Sequence, residues 1–528
     1  MMRPGSRNKI FFSALFFFLT LVLAAPIMAA EEPQKGGVYR TSMSDPRSLD
    51  PHTETYEQTS AITNNTYNRL IRWNADMSGF ELDLAESWRR IDPLTFEFKL
   101  RRGIRFQDLP PVNGRELTSA DVKYSLERVG GAYGKEAEFR HKYYYDEKLA
   151  SIETPDKYTV IIKTKEPYAP LINYIASDWS MIVPKEVVDA FGDLKRNAIG
   201  SGPFILKEMV RGSHITLVKN PNYFKKGLPY LDQIQIKIMQ DPSAELAAFL
   251  SKNLDIMGPY FFQVPTLKKE APEAKILQRK SFHMFVLRTQ PCTTTYKDLD
   301  PPYNDVRVRQ ALGMAIDKNK LLALAWGGAG TVQVGTVPNF PPYSLPASDQ
   351  LEYNPEKAKK LLAEAGYPNG FKTTLLTWNA DYMLKPAQII QDMLRQIGVE
   401  VELKTMEMAQ YFNVVFQFKY PMSLHVMTAG YDPDDWIDHY FGPPDHTTTY
   451  KWCNTKVWEL NEKQRKIMDV KERAKVIQEI QRELMRDGTH TNLYSQDRFT
   501  AWWPYVHPNL YFHPNSVLMG EKIWLEKH

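Results

Sequence analysis

The chain has 528 residues, 43% hydrophobic and 24% charged, a composition that folds and a length that calls for two or three packed units rather than one core. Its formal charge of +4 falls to +1 without the first 30 residues, which hold three basic side chains and no acidic one. Near-neutral, interspersed charge gives nucleic acid nothing to bind electrostatically, and no such partner is expected.

The N-terminus is the sharpest local pattern. Arg3, Arg7 and Lys9 precede an apolar run over 10–23, broken only by Ser13, Ala14 and Thr20. Small residues follow to Ala29-Ala30, then Glu31-Glu32. This is the layout of a secretory signal peptide over 1–30. The run has 14 residues, and a membrane span needs about 20. Met28 leaves the exact cut open. The only cysteines, Cys292 and Cys453, lie far from the cut, so no lipid anchor is expected there. Whether the two pair stays open, since spacing does not give their separation.

Further along, 38–41 reads as a short strand, and 95–100 alternates apolar and polar residues as a half-buried strand does. Thr118 and Asp121 form a capping-box pattern ahead of a helix with Val122, Leu126 and Val129 on one stripe. Strands are expected at 158–164, 215–217 and 234–238, with a sharp turn at Gly200-Ser201-Gly202-Pro203. A helix follows Asn304-Asp305. Another starts at Asn354-Pro355, a good cap and a good first position, and ends at Gly366. A helix over 386–397, a strand over 399–403 and a helix over 471–485 complete the mixture. Such mixing predicts an α/β fold in two lobes.

No catalytic constellation is present: no His-Glu-x-x-His, no Cys-x-x-Cys, no Gly-x-Ser-x-Gly. Gly328-Ala329-Gly330 opens like a dinucleotide loop, but Gln333 breaks it. His439 and His446 lie near Asp432, Asp434, Asp435 and Asp438. Their spacing is a weak match to a metal site, and solvated loop acids are the expectation over that alternative. Neither a cofactor, a metal nor an enzymatic activity is expected.

Four segments, in order, resemble the peptide/nickel family (family 5) of extracellular solute-binding proteins of ABC transporters. They are Leu84-Ala85-Glu86-Ser87-Trp88 with the stretch to Leu126, Gly200-Ser201-Gly202-Pro203-Phe204 with Asn220-Pro221-Asn222-Tyr223-Phe224, Asp305-Val306-Arg307-Val308-Arg309-Gln310-Ala311-Leu312 with Ala315-Ile316-Asp317, and Tyr353-Asn354-Pro355-Glu356 through Pro368. The resemblance implies a two-lobed periplasmic binding protein fold with a hinge and a third subdomain inserted in the first lobe. The first lobe would comprise 31–80, 200–300 and 499–528, with the insert at 81–199. The second lobe would be 301–498, with crossovers near 296–303 and 495–500. The implied role is capture of a peptide-like or other small polar solute and delivery to an inner-membrane ABC permease, by a monomer in the periplasm. An oligosaccharide, a nickel chelate, or a chaperone or sensor role on the same fold stays open.

The family's cleft also supplies candidate contacts. Met43, Ser44 and Asp45 would line one wall. Trp378, Tyr382, Ala429, Tyr431, Asp432 and Trp436 would approach from the other. Peptide-binding members place an acid three residues before the acidic-Pro pair, to hold the ligand's ammonium. Here that position is Ala429, so selection by a free α-amino group is not expected, with Asp45 and Asp432 as the substitute acids.

Overall fold

Alternation and capping translate directly into elements. Thr95–Leu100 is a strand with Phe96, Phe98 and Leu100 buried. The helix Ser119–Val129 starts at Thr118, whose backbone N–H donates to the Asp121 carboxylate at 2.8 Å. Asn354 caps Pro355–Glu364, accepting from the Lys357 N–H at 2.9 Å. The last long helix is Val470–Asp487. The helix expected from Pro386 begins earlier, at Asp381, and carries the proline inside. Met383, Ala387, Ile390 and Leu394 form one buried stripe through it, and that burial offsets the single N–H proline lacks.

The computed structural model describes residues 32–54, 56–133, 139, 141–289, 302–338, 340–417, 420–428, 430–443, 454–511 and 518–527. The signal-peptide pattern, both cysteines, Ala429 and His446 lie outside the described residues. No described helix is long and apolar enough to cross a membrane.

A four-stranded sheet builds the first lobe, in the order Val38–Met43, Gln233–Ile238, His214–Lys219, Phe204–Val210. The first pair is parallel and the rest antiparallel. A second, antiparallel four-stranded sheet spans Ala85–Asp92, Thr95–Leu100, Thr159–Thr164 and Leu149–Asp156. Phe96, Phe98 and Ile162 from it share one continuous core with Tyr39, Ile215 and Ile234. The second lobe holds a mixed six-stranded sheet ordered Gly330–Val332, His490–Gln496, Met284–Thr289, Met422–Met427, Phe371–Trp378, Val399–Met406. Its core, including Leu287, Leu312, Leu375 and Leu493, is separate.

Buried charges fasten the first lobe's distant segments. Arg72 reaches Glu521 at 2.6 Å, and Lys225 reaches Asp83 at 2.8 Å and Glu521 at 3.2 Å.

A three-stranded antiparallel sheet of Ile256–Met257, Arg498–Trp502 and Lys275–Arg279 lies where the lobes join. Lys275–Arg279 belongs to it, while Met284–Thr289 belongs to the second-lobe sheet. The first crossover is therefore 280–283, upstream of the expected 296–303. The strand Met284–Thr289, buried throughout and apolar from Met284 to Leu287, needs a sheet on both flanks and finds it in the second lobe. At the second crossover Asp497 alone separates His490–Gln496 from Arg498–Trp502.

Candidate functional site

A cavity of about 540 Å³ opens beside these crossovers, within the size range of small-ligand sites. One wall is the end of the strand Val38–Met43 and the loop beyond it, with Thr41, Ser42, Met43 and Ser44 facing in. The helix Glu57–Thr66 presents its first turn, Glu57 and Gln58. Gln58 donates to the Ser44 hydroxyl at 2.8 Å and fixes that corner. Tyr260 and Phe261 form another side, and Arg279, Arg498 and Thr500 the floor by the crossovers.

The charged groups are specific. Glu57, at the first helical position, favours the positive end of its helix and binds Arg498 through both oxygens, at 2.8 and 3.1 Å. His283, in the first crossover, touches the same guanidinium at 3.3 and 3.4 Å. Burial, then Arg498, pushes its pKa well below the ordinary range, so the imidazole is neutral. Glu245 lies in the first turn of Pro242–Leu250, a helix capped by Asp241. Burial pushes its pKa up, and the Ser42 hydroxyl donates to it at 2.6 Å. The Tyr260 hydroxyl is pushed up by burial, then by neighbouring Tyr382 and Glu245. Arg279 is lowered by burial, then by Arg498 beside it. The arrangement offers two guanidiniums, carboxylates and aromatic faces for a polar ligand. Among the described residues no group of three or more metal-ligating side chains occurs.

The expected contacts divide. Met43 and Ser44 line the cavity. Tyr382 does not line it, though its hydroxyl influences that of Tyr260 electrostatically. Asp45 does not line it: its carboxylate accepts the Gly212 N–H at 2.7 Å, the role of a turn cap. Trp378 is core: it is 5% exposed, packs edge-on to Tyr411 at 5.0 Å and donates to the Tyr382 hydroxyl at 3.1 Å. Trp436 is likewise buried, with Phe282, Val286 and Ile477.

The segment around Asp432 corrects its expectation most. Tyr431 leaves the second lobe and packs in the first lobe's core, edge-on to Trp179 at 5.2 Å. Asp432, Asp434 and Asp438 are fully buried, not solvated loop acids. Asp432 caps the helix Pro433–Phe441 and pairs with Arg473, one contact being 2.8 Å. Arg465 holds Asp434 at 2.7 Å and Asp438 at 2.6 Å. First-lobe side chains close over the same acids: Asn173 donates to Asp432, Tyr174 to Asp434 at 2.9 Å and Tyr144 to Asp435 at 2.5 Å. Gly430 permits the approach, because a Cβ there would meet the Asp435 carboxylate at 1.6 Å. These acids join the lobes; they do not face the cavity.

Sequence reasoning missed Glu57, Glu245, Tyr260, Arg279 and Arg498. Only the helix-start position of Glu57 and Glu245 was a readable signal.

Comparison with known proteins agrees with this architecture. A family model described as "Bacterial extracellular solute-binding proteins, family 5 Middle" matches residues 79–448. The oligopeptide-binding protein AppA of Bacillus subtilis is 28% identical, over 94% of this chain and 93% of its own. The glutathione-binding protein GsiB of Pectobacterium atrosepticum is 29% identical, over 69% and 68%. Among solved structures, the periplasmic binding protein DppA of Helicobacter pylori with the peptide STSA superposes with TM-score 0.78 at 25% identity, covering 94% of this chain and 99% of that one. AgaA from A. tumefacien R10 with agropinic acid gives TM-score 0.78 at 26% identity, covering 93% and 99%.

Proposed function

The chain belongs to family 5 of the bacterial extracellular solute-binding proteins, and we propose that it captures a small polar, peptide-like solute in the cavity at its crossovers and hands it to the permease of an ABC importer. The observation that carries this reading is the cavity itself, about 540 Å³ at the junction of two lobes. A site so placed changes shape when the lobes swing, which converts occupancy into a form a permease recognises. Met43 and Ser44, with Glu57, Glu245, Tyr260, Arg279 and Arg498, are the contacts proposed. The protein works as a monomer in the periplasm, exported by a leader over 1–30 that is removed, and it binds without chemistry. Relatives' ligands range from the STSA peptide to glutathione and agropinic acid, so ligand class has to be read from this chain's own side chains.

Native mass spectrometry of protein taken from the periplasm without refolding tests the reading. It should show a noncovalent small-molecule adduct, and scattering should give a smaller radius of gyration with that adduct than after its removal. No adduct, with an unchanged radius on titration with periplasmic extract, would overturn capture.

A further inference from the structure

Arg279 and Arg498 stand directly opposite each other at the end of the ladder joining Lys275–Arg279 to Arg498–Trp502. Opposed side chains in an antiparallel ladder share a face, with Cβ atoms about 5 Å apart, and like charges there repel. Both residues line the cavity. Glu57 is bonded to Arg498. Among the described residues no carboxylate is hydrogen-bonded to Arg279, which feels Glu57 only electrostatically: Nη1 donates to the Tyr511 carbonyl at 2.7 Å and Nη2 to the Thr500 hydroxyl at 3.2 Å. Its Nε donates to nothing among the described residues. The other carboxylates on the wall accept from neutral donors, Glu245 from Ser42 at 2.6 Å and Asp497 from Gln278 at 2.7 Å, and neither is hydrogen-bonded to Arg279. Among the described residues the floor thus sets two cations against each other, with one carboxylate, Glu57, bonded to Arg498.

We propose that the captured ligand carries a carboxylate or comparable anionic group, and that Arg279, with Arg498, receives it. The inference rests on the capture reading and adds the ligand's charge. A ladder position that opposes two guanidiniums costs stability, and a second anion relieves it. A guanidinium fork matches a carboxylate's two oxygens, which makes that group the fitting anion. Each arginine adjoins a crossover, so a group held by both is held at the ends of both connections.

The test compares the mature protein with Arg279→Gln and Glu57→Gln. Probes are sodium sulfate against sodium chloride at equal ionic strength, and acid–amide pairs: N-acetyl tripeptides with their C-terminal amides, and gluconate with gluconamide. Acids should bind the wild type at least about tenfold tighter than their amides, 1.4 kcal/mol, and Arg279→Gln should erase that preference. Without anions, Arg279→Gln should melt above the wild type, because the repulsion is gone. An amide binding as tightly as its acid, or a preference surviving in Arg279→Gln, overturns the inference while the observed binding leaves capture standing. If no pair binds, sulfate decides: a rise in wild-type melting temperature absent from Arg279→Gln supports the inference, and equal rises overturn it. Glu57→Gln keeps the test open should Arg279→Gln not fold. Freed of its carboxylate, the pair should respond more strongly to sulfate, and an unchanged response counts against the proposal.

Discussion

Asp432→Asn separates a ligand contact from a structural one with a change of one charge. Asparagine keeps the shape of aspartate and caps helices equally well, so the start of Pro433–Phe441 is preserved. What is lost is the anion facing Arg473, whose side chain is 4% exposed against 0% for Asp432. Among the described residues Arg473 retains the neutral Gln464 amide, its Nε donating to that oxygen at 2.8 Å, and the Tyr343 ring 5.6 Å from its guanidinium. Removing one partner of a buried pair costs about 3–5 kcal/mol, because the other charge stays buried alone. Urea unfolding should show that loss. Arg473→Met in the same background should recover part of it, with a coupling of about 2 kcal/mol between the two sites. Ligand affinity, measured by calorimetry on the folded variant, should move little by comparison. A variant within about 1 kcal/mol of wild type in stability but with affinity down a hundredfold would refute the reasoning and return Asp432 to the ligand site.

Two further outcomes follow from residues already placed. Asp45 and Asp432 both lie outside the cavity lining, Asp45 bonded to Gly212 and Asp432 paired with Arg473, so neither is placed to hold a ligand's ammonium; a short peptide and its N-acetylated twin should bind with equal affinity, and a hundredfold loss on acetylation, about 2.7 kcal/mol, would refute this. Lys318 is buried, donates among the described residues only to the Gln333 carbonyl at 3.2 Å, and is lowered by burial from 10.5 to about 7. The unfolded chain therefore binds this proton more tightly, the fold is penalised in full below about pH 7, and the penalty lifts as pH rises to 10.5. Lys318→Met should raise the unfolding midpoint at pH 7 and flatten its rise above that pH; a lower midpoint at pH 7 would contradict the assignment.

Local elements were legible because their causes are local. The alternation in Thr95–Leu100 and the Thr118–Asp121 box sit within a few residues of what they determine. Met43 and Ser44 came from resemblance, and they do line the cavity. Asp432 was misread because its partner, Arg473, lies 41 residues on and reaches it only after helix packing. The pairing of Arg279 with Arg498 has no local sign either: two segments over 200 residues apart become neighbours through one ladder. Trp378 and Trp436 were ambiguous because a large aromatic suits a core as well as a cleft.

The adjacency of the two crossovers also limits how the lobes move. Residues 280–283 and Asp497 leave the same end of one ladder, side by side. Two neighbouring connections define a single axis, and rotation about it is the one motion that stretches neither. Twisting one lobe against the other would pull the strands apart at Arg279 and Arg498, where they are paired. A closure that stretches neither connection is therefore a swing about that one axis. Lengthening either connection by a few glycines would release the twist and uncouple the lobes' orientation from how far they have closed.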